Sequence, residues 1–284
     1  MATTETNALR AGGEPPRIAV RGLRKSFDGR PVLRGVDLEV FRGESVAILG
    51  ASGGGKSVLL KHVIGLLRPD DGTVEIDGRD MSGAGEREWR EARRLFGMAF
   101  QEGALFDSLD VFENVAFPLR RHTKMKEPEI RARVRECLDI VQLPQGVESK
   151  ATNQLSGGMR RRVGFARAIA AQPEILLFDE PNTGLDPITS AVIDLDIQLM
   201  RERLPVTVVT ITHDVRSVFR IATRIAMLRE GKILAAAPPE EFRRLPDPYI
   251  QKFLAGAPPE EEHPRLPPPR RAPPSRPRRS PPAP

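Results

Sequence analysis

Eight residues, Gly50-Ala51-Ser52-Gly53-Gly54-Gly55-Lys56-Ser57, constrain this chain more than any other stretch. They fit G-x-x-x-x-G-K-[ST], the Walker A loop, whose shape is dictated by phosphate. Its glycines let the backbone curl until successive N–H groups converge on anionic oxygens, and the next helix adds its positive dipole end. Lys56 brings a point charge to the outer phosphates, and Ser57 offers a hydroxyl to Mg²⁺. A bare surface turn would share the glycines but not the setting. Here Ser45–Leu49 reads as a short buried strand, and Val58–Leu67 reads as a helix stopped by Arg68-Pro69. Strand, loop and helix together predict an α/β nucleotide-binding fold.

A chain of 284 residues with 39% hydrophobic content can hold a sizeable core. No apolar run approaches the ~20 residues that a membrane helix needs. Met1–Pro16 lacks the charged-then-apolar layout of a signal peptide, so a cytosolic protein is expected. Cys137 stands alone, which excludes an intrachain disulfide and a multi-cysteine metal site. Net charge is +6, of which the six arginines and three glutamates of 257–284 supply +3. The remainder is only mildly basic, so no nucleic-acid-binding face is expected.

In chain order, 1–17 reads as a disordered leader. Ile18–Leu23 and Val32–Val40 read as strands joined by a turn at Asp28-Gly29. Phe27 is placed to stack on an adenine ring, although a lone Phe beside a strand is usually core. Pro69–Gly72 reads as a turn, and Thr73–Ile76 leads into a hairpin at Asp77-Gly78, giving an antiparallel patch beside the nucleotide. A helix over Glu86–Arg94 precedes a strand, Phe96–Phe100, that delivers Gln101. From Glu102 the pattern turns helical, with an apolar stripe at Ile130, Val134, Cys137, Leu138 and Val141. This stretch interrupts the main sheet and reads as an inserted helical subdomain, about 102–171. It includes Leu155-Ser156-Gly157-Gly158-Met159, a serine-capped helix start.

Ile175–Phe178 is a strand buried on both faces, and it ends in Asp179-Glu180. Open α/β sheets place ligands at that carboxyl edge. Asp179 there can hold Mg²⁺ through water, and Glu180 can polarise a water aimed at the γ-phosphate. The alternative is that both merely cap the next segment. A helix over Ile188–Arg203 follows, then a strand, Val206–Thr212, ending in His213 at the same edge. A γ-phosphate contact is expected of His213. Ile225–Leu228 and Ile233–Ala237 close a hairpin, and two short helices end near Leu254. The tail holds twelve prolines in 257–284, a composition that cannot bury a core.

Taken together, these motifs resemble the ATPase subunit of ABC transporters over about 18–254. The likeness rests on Gly50–Ser57, Gln101, Leu155–Met159, Asp179-Glu180, Asn182–Asp186 and His213, in the family's order. It implies a P-loop NTPase fold with a RecA-like parallel-sheet core, an antiparallel β subdomain and an inserted helical subdomain. It implies ATP and Mg²⁺ as ligands, and a head-to-tail homodimer in which Ser156, Gly157 and Gly158 touch the γ-phosphate bound to the partner chain. It makes Glu180 the catalytic base, His213 a switch residue, Phe27 the adenine platform, and Gln101 a sensor of Mg²⁺ and of a membrane partner.

A narrower likeness lies in Gln101–Phe106, Val111–Leu119 and Asp186-Pro187-Ile188, which resemble the ATPases of Mla and related MCE-associated phospholipid transport systems. That family implies an MlaE-type permease, an MCE-domain lipid-binding protein, often a STAS-domain subunit, and a place on the cytoplasmic face of the inner membrane. The Pro/Arg tail, 255–284, departs from the pattern. Two other readings stay open: a transporter ATPase for lipoproteins or amino acids, and a non-transport ABC ATPase acting on DNA or ribosomes. Against the second, one ATPase unit without a long coiled-coil insertion is seen here.

Overall fold

The computed structural model describes residues 15–100 and 103–256. Gln101 and Glu102, the leader before Pro15 and the tail after Gly256 lie outside them, so the roles expected of Gln101 and of the tail find no structural counterpart here.

A four-stranded antiparallel sheet is built from β1 (Ile18–Phe27), β2 (Arg30–Val40), β4 (Asp71–Ile76) and β5 (Arg79–Asp80), in the order β2-β1-β4-β5. A six-stranded sheet uses β3 (Ser45–Leu49), β6 (Phe96–Ala99), β7 (Ile175–Asp179), β8 (Thr207–Thr212), β9 (Arg224–Arg229) and β10 (Lys232–Ala237). Its order is β10-β9-β3-β8-β7-β6, parallel throughout except for β10 at the edge. The central strands β3, β7 and β8 are buried almost throughout and largely apolar or threonine, because both faces of the sheet are covered. Leu176 and Phe178 of β7 enter one hydrophobic cluster while Ile175 and Leu177 enter the other. Burying each such side chain contributes roughly 1.5–3 kcal/mol.

The helices are α1 (Lys56–Val63), α2 (Glu86–Ala92), α3 (Val111–His122), α4 (Glu127–Ile140), α5 (Gly157–Ala170), α6 (Pro187–Arg203), α7 (Val215–Ile221), α8 (Pro239–Arg243) and α9 (Pro248–Leu254). α3, α4 and α5 lie between β6 and β7 in the chain and share a cluster through Val115, Leu119, Val134, Cys137 and Phe165. Cys137 is an inert core residue, its thiol pushed up to about 12 by burial. The chain divides into two compact units between Arg244 and Leu245. In the second, α9 is capped by Asp247, whose carboxylate accepts from the Tyr249 and Ile250 N–H groups.

Several boundaries differ from the sequence reading. The first helix stops at Val63 instead of reaching Leu67, because Gly65 takes φ +67° and seats its Cα against the Trp89 ring. Asp71-Gly72 lies within β4, not in a turn. Gly72 has φ +84° and passes so close to the Arg21 and Gly22 carbonyls that a Cβ there would meet them at 2.5 Å. Arg17, assigned to the leader, is 2% exposed and ion-paired to Asp77 and Glu174. The helix α7 was not anticipated.

Candidate active site

Parallel pairing fixes which residues meet. Leu49 stands opposite Thr212, Asp179 opposite Ile211, and Ala99 opposite Phe178. The residues that follow these strand ends therefore emerge at one edge of the sheet: Gly50–Ser57 after β3, Asp179-Glu180 at β7, and His213 after β8. This is the edge where such sheets carry ligands.

The loop is shaped by its glycines. Gly53 and Gly55 have φ +75° and +94°, and Gly55 is the N-cap of α1. A Cβ on Gly50 would lie 2.5 Å from the Leu228 carbonyl oxygen, and one on Gly55 would lie 3.1 Å from Leu33 of β2. The loop is thus wedged between the two sheets, with Ala51 half-buried and Ser52 exposed, and Gly54 N–H donates back to the Ala51 carbonyl at 3.2 Å. Lys56 is 5% exposed; its Nζ donates to the carbonyls of Gly50 and Ala51 at 2.9 and 3.0 Å and lies 3.2 Å from Oε1 of Glu180.

Ser57 Oγ donates to Oδ1 of Asp179 at 3.4 Å. Burial, with the neighbouring Glu180 charge, pushes the Asp179 carboxyl above the usual carboxylate range. A divalent cation would relieve both effects. Two hard oxygens facing each other beside a phosphate loop suit Mg²⁺, which keeps several waters and uses few protein ligands.

Glu180 adopts φ +49°, and its N–H donates to the Ile211 carbonyl at 2.9 Å. Its Oε2 accepts from Thr183 Oγ1 at 3.2 Å and from the His213 N–H at 3.3 Å, and faces His213 Nδ1 at 2.8 Å. The structure therefore joins Lys56, Glu180 and His213 directly.

The other expected residues sit on different elements. Ser156 caps α5, accepting from the Met159 N–H at 3.3 Å, and Ser156 and Gly157 are exposed while Gly158 is half-buried. A Cβ on Gly158 would press on Thr189 at 3.0 Å. Phe27, at the end of β1, is 41% exposed and has Lys25 Nζ 5.7 Å above its ring. An open depression of about 530 Å³ adjoins Ser57 and Asp179 and continues past Leu66, Met98 and Phe100 to Ala104. Nearby, Phe106 and Phe117 form an exposed ring pair 4.7 Å apart. Asn114, fully buried, pins this loop by accepting from the Phe106 N–H and donating to the Phe106, Leu109 and Asp110 carbonyls.

Sequence reasoning missed a buried set around the Glu180 turn. Asn182 Nδ2 donates to Asp194 at 2.7 Å and to Ser217 Oγ at 2.9 Å, and Arg220 reaches Asp194 at 3.1 Å. Arg161, on α5, donates to the Thr183 carbonyl. Nothing in the sequence marked this set, because Asp194 demands partners only once its face of α6 is covered.

The family profile described as ABC transporter matches residues 33–183, a span running from β2 through the phosphate loop to the Glu180 turn. This chain belongs to the ABC transporter family. Its ABC cassette is 42% identical over 239 residues to the probable ribonucleotide transport ATP-binding protein mkl of Mycobacterium leprae, covering 84% of this chain and 69% of that one. It is 39% identical over 236 residues to the intermembrane phospholipid transport system ATP-binding protein MlaF of Escherichia coli, covering 83% and 85%. Among solved structures, cbiO1 from Clostridium perfringens, part of the ABC transporter complex cbiONQ, aligns with TM-score 0.75 at 30% identity, covering 82% of this chain and 92% of that one. A cassette solved as a dimer bound to ADP and Pi aligns with TM-score 0.71 at 33% identity, covering 78% and 98%. The ABC chain is thus an ATP-hydrolysing subunit. ABC cassettes dimerise and pair with membrane permeases, and no helix among the described residues is long and apolar enough to cross a membrane.

Proposed function

We propose that this chain energises phospholipid transport between membranes as the ATPase of an Mla/MCE-type complex. The observation that carries the reading is the 39% identity to MlaF proteins across 85–90% of their length. The motif segments Gln101–Phe106 and Val111–Leu119 support it. The partners would be a second copy of this chain, an MlaE-type permease, an MCE-domain lipid-binding protein and a STAS-domain subunit. The ATPase would work at the cytoplasmic face of the inner membrane.

In this reading the N–H groups of Gly50–Ser57 and the N-terminus of α1 cradle the ATP phosphates, Lys56 holds the outer ones, and Phe27 stacks on adenine. Ser57 and Asp179 hold Mg²⁺, which neutralises charge on the phosphate oxygens; Gln101 is proposed to sense it. Glu180 accepts the proton of the attacking water, and His213 fixes the carboxylate that does so. The turn Ser156-Gly157-Gly158, exposed at its first two residues, offers its hydroxyl and N–H groups to the ATP of the second copy. ATP shared across the interface closes the dimer, and loss of the γ-phosphate reopens it. The domain would run from 18 to 254, between a leader and a Pro/Arg tail.

The mkl relatives, named for ribonucleotide transport, favour a second substrate class at 42% identity over 66–69% of their length. The assembled complex in vesicles separates the two. ATP-dependent movement of labelled phospholipid supports the lipid reading, whereas ATP-dependent uptake of labelled ribonucleotide without lipid movement overturns it.

A further inference from the structure

We propose that Arg161 is a positioning residue for hydrolysis, holding Glu180 through Thr183 and thereby tying the base to the helix that carries the Ser156 turn. This rests on the reading of Glu180 as the base.

Thr183 is bonded at all three of its polar groups. Its N–H donates to the Glu180 carbonyl at 3.3 Å, its hydroxyl donates to Glu180 Oε2 at 3.2 Å, and its carbonyl accepts from Nη2 of Arg161. The turn therefore cannot shift without moving the carboxylate. It has two anchors. One belongs to the sheet's own helices: buried Asn182, held by Asp194 of α6 and Ser217 of α7. The other is Arg161, 7% exposed, on the second turn of α5.

These anchors differ in what they report. α6 and α7 flank the strands that carry Asp179 and His213, so the Asn182 bonds keep the turn in place within the core. α5 instead begins at Ser156. Farther along, Arg167 donates to the Gly103 and Ala104 carbonyls at 2.8 Å each, and Gly103 lies against Gly164 where a Cβ would meet its Cα at 3.0 Å. One rigid helix thus grips the Ser156 turn, the segment after Gln101, and, through Arg161, the support of Glu180. A guanidinium suits the task, being always charged and able to reach a carbonyl from a neighbouring element in a fixed plane.

The test uses the full-length chain with four variants: Arg161→Met, Arg161→Lys, Thr183→Val and the double Arg161→Met/Thr183→Val. If Arg161 acts through Thr183, Arg161→Met lowers kcat by about tenfold while KM and ATP affinity stay within about twofold. Arg161→Lys recovers most of the lost rate. Thr183→Val gives a similar loss, and the double variant is no slower than either single one, because both cut the same connection. Wild-type kcat in Arg161→Met, or losses that multiply in the double variant, overturns the proposal. So does a fall in ATP affinity and melting temperature matching the fall in kcat. Should Arg161→Met not fold, the Thr183→Val kcat decides, since that change removes one hydroxyl with little change of shape. Glu180→Gln is run alongside: near-normal turnover there refutes the base assignment, whatever Arg161 does.

Discussion

Lys56 Nζ and Glu180 Oε1 lie 3.2 Å apart, so the lysine of the glycine loop and the carboxylate at the end of β7 form an ion pair. On the proposed reading, a γ-phosphate that engages Lys56 competes with this pair, while Glu180 Oε2 has its own bonds to Thr183 and His213.

Glu180→Gln should therefore do two things. If Glu180 is the general base, its loss slows phosphate release by about 10²–10⁴-fold. Loss of an anion that competes for Lys56 should also tighten ATP binding, by about fivefold if the pair contributes about 1 kcal/mol. Equilibrium titration with ATP, paired with phosphate-release kinetics, reads both, and weaker ATP binding in the variant would contradict the competition.

Lys56→Ala removes the donor to the Gly50 and Ala51 carbonyls as well as the partner of Glu180. The wild type should melt at a higher temperature with ATP present, because a ligand that binds only the native state stabilises it. That ATP-dependent rise should vanish in the variant. A preserved rise would count against the loop as the phosphate site.

Gly65→Ala should destabilise the fold without touching the nucleotide chemistry. The position has φ +67°, and a Cβ would fall 2.1 Å from the Trp89 ring, so the indole must move. Strain and overpacking together should cost about 2–4 kcal/mol. Denaturant unfolding measures it, and a cost under about 1 kcal/mol would mean Trp89 relocates freely.

Asp196 gives a pH dependence. Burial pushes its carboxyl up to about 6, outweighing the Arg162 guanidinium whose Nε donates to it at 2.7 Å. The folded value exceeds the unfolded one of about 3.9, so between the two the native state holds more protons and stability falls as pH rises. Relative to Asp196→Asn, the wild type should lose up to about 3 kcal/mol from pH 4 to pH 7. A difference that stays flat across that window would show the charge to be fully compensated by Arg162.

What was legible in the sequence was what depends on local pattern. The run Ser45–Leu49, its glycine loop and the helix after it were read from contiguous residues. The convergence of Glu180 and His213 followed from two apolar strands ending in polar pairs. The polar partners were not legible. Arg161 meets Thr183 across 22 residues, and Asn182 meets Ser217 across 35. Helical periodicity assigns Asp194 and Asp196 to faces but does not say that the faces are covered. Helix ends set by a single contact, such as Gly65 against Trp89, were equally invisible, since the contact is tertiary.

The Arg17 clasp bears on where this chain can be shortened. Its guanidinium joins Asp77 of the antiparallel sheet's hairpin to Glu174, the residue before β7. Those carboxylates are 39% and 49% exposed and are shared with Arg42. Starting the chain at Ile18 removes a buried cation that joins Asp77 to Glu174 and, among the described residues, leaves Arg42 to hold both acids. Among the described residues the fold's commitments thus begin before the first strand, and a truncation or fusion point placed at Ile18 would sever them.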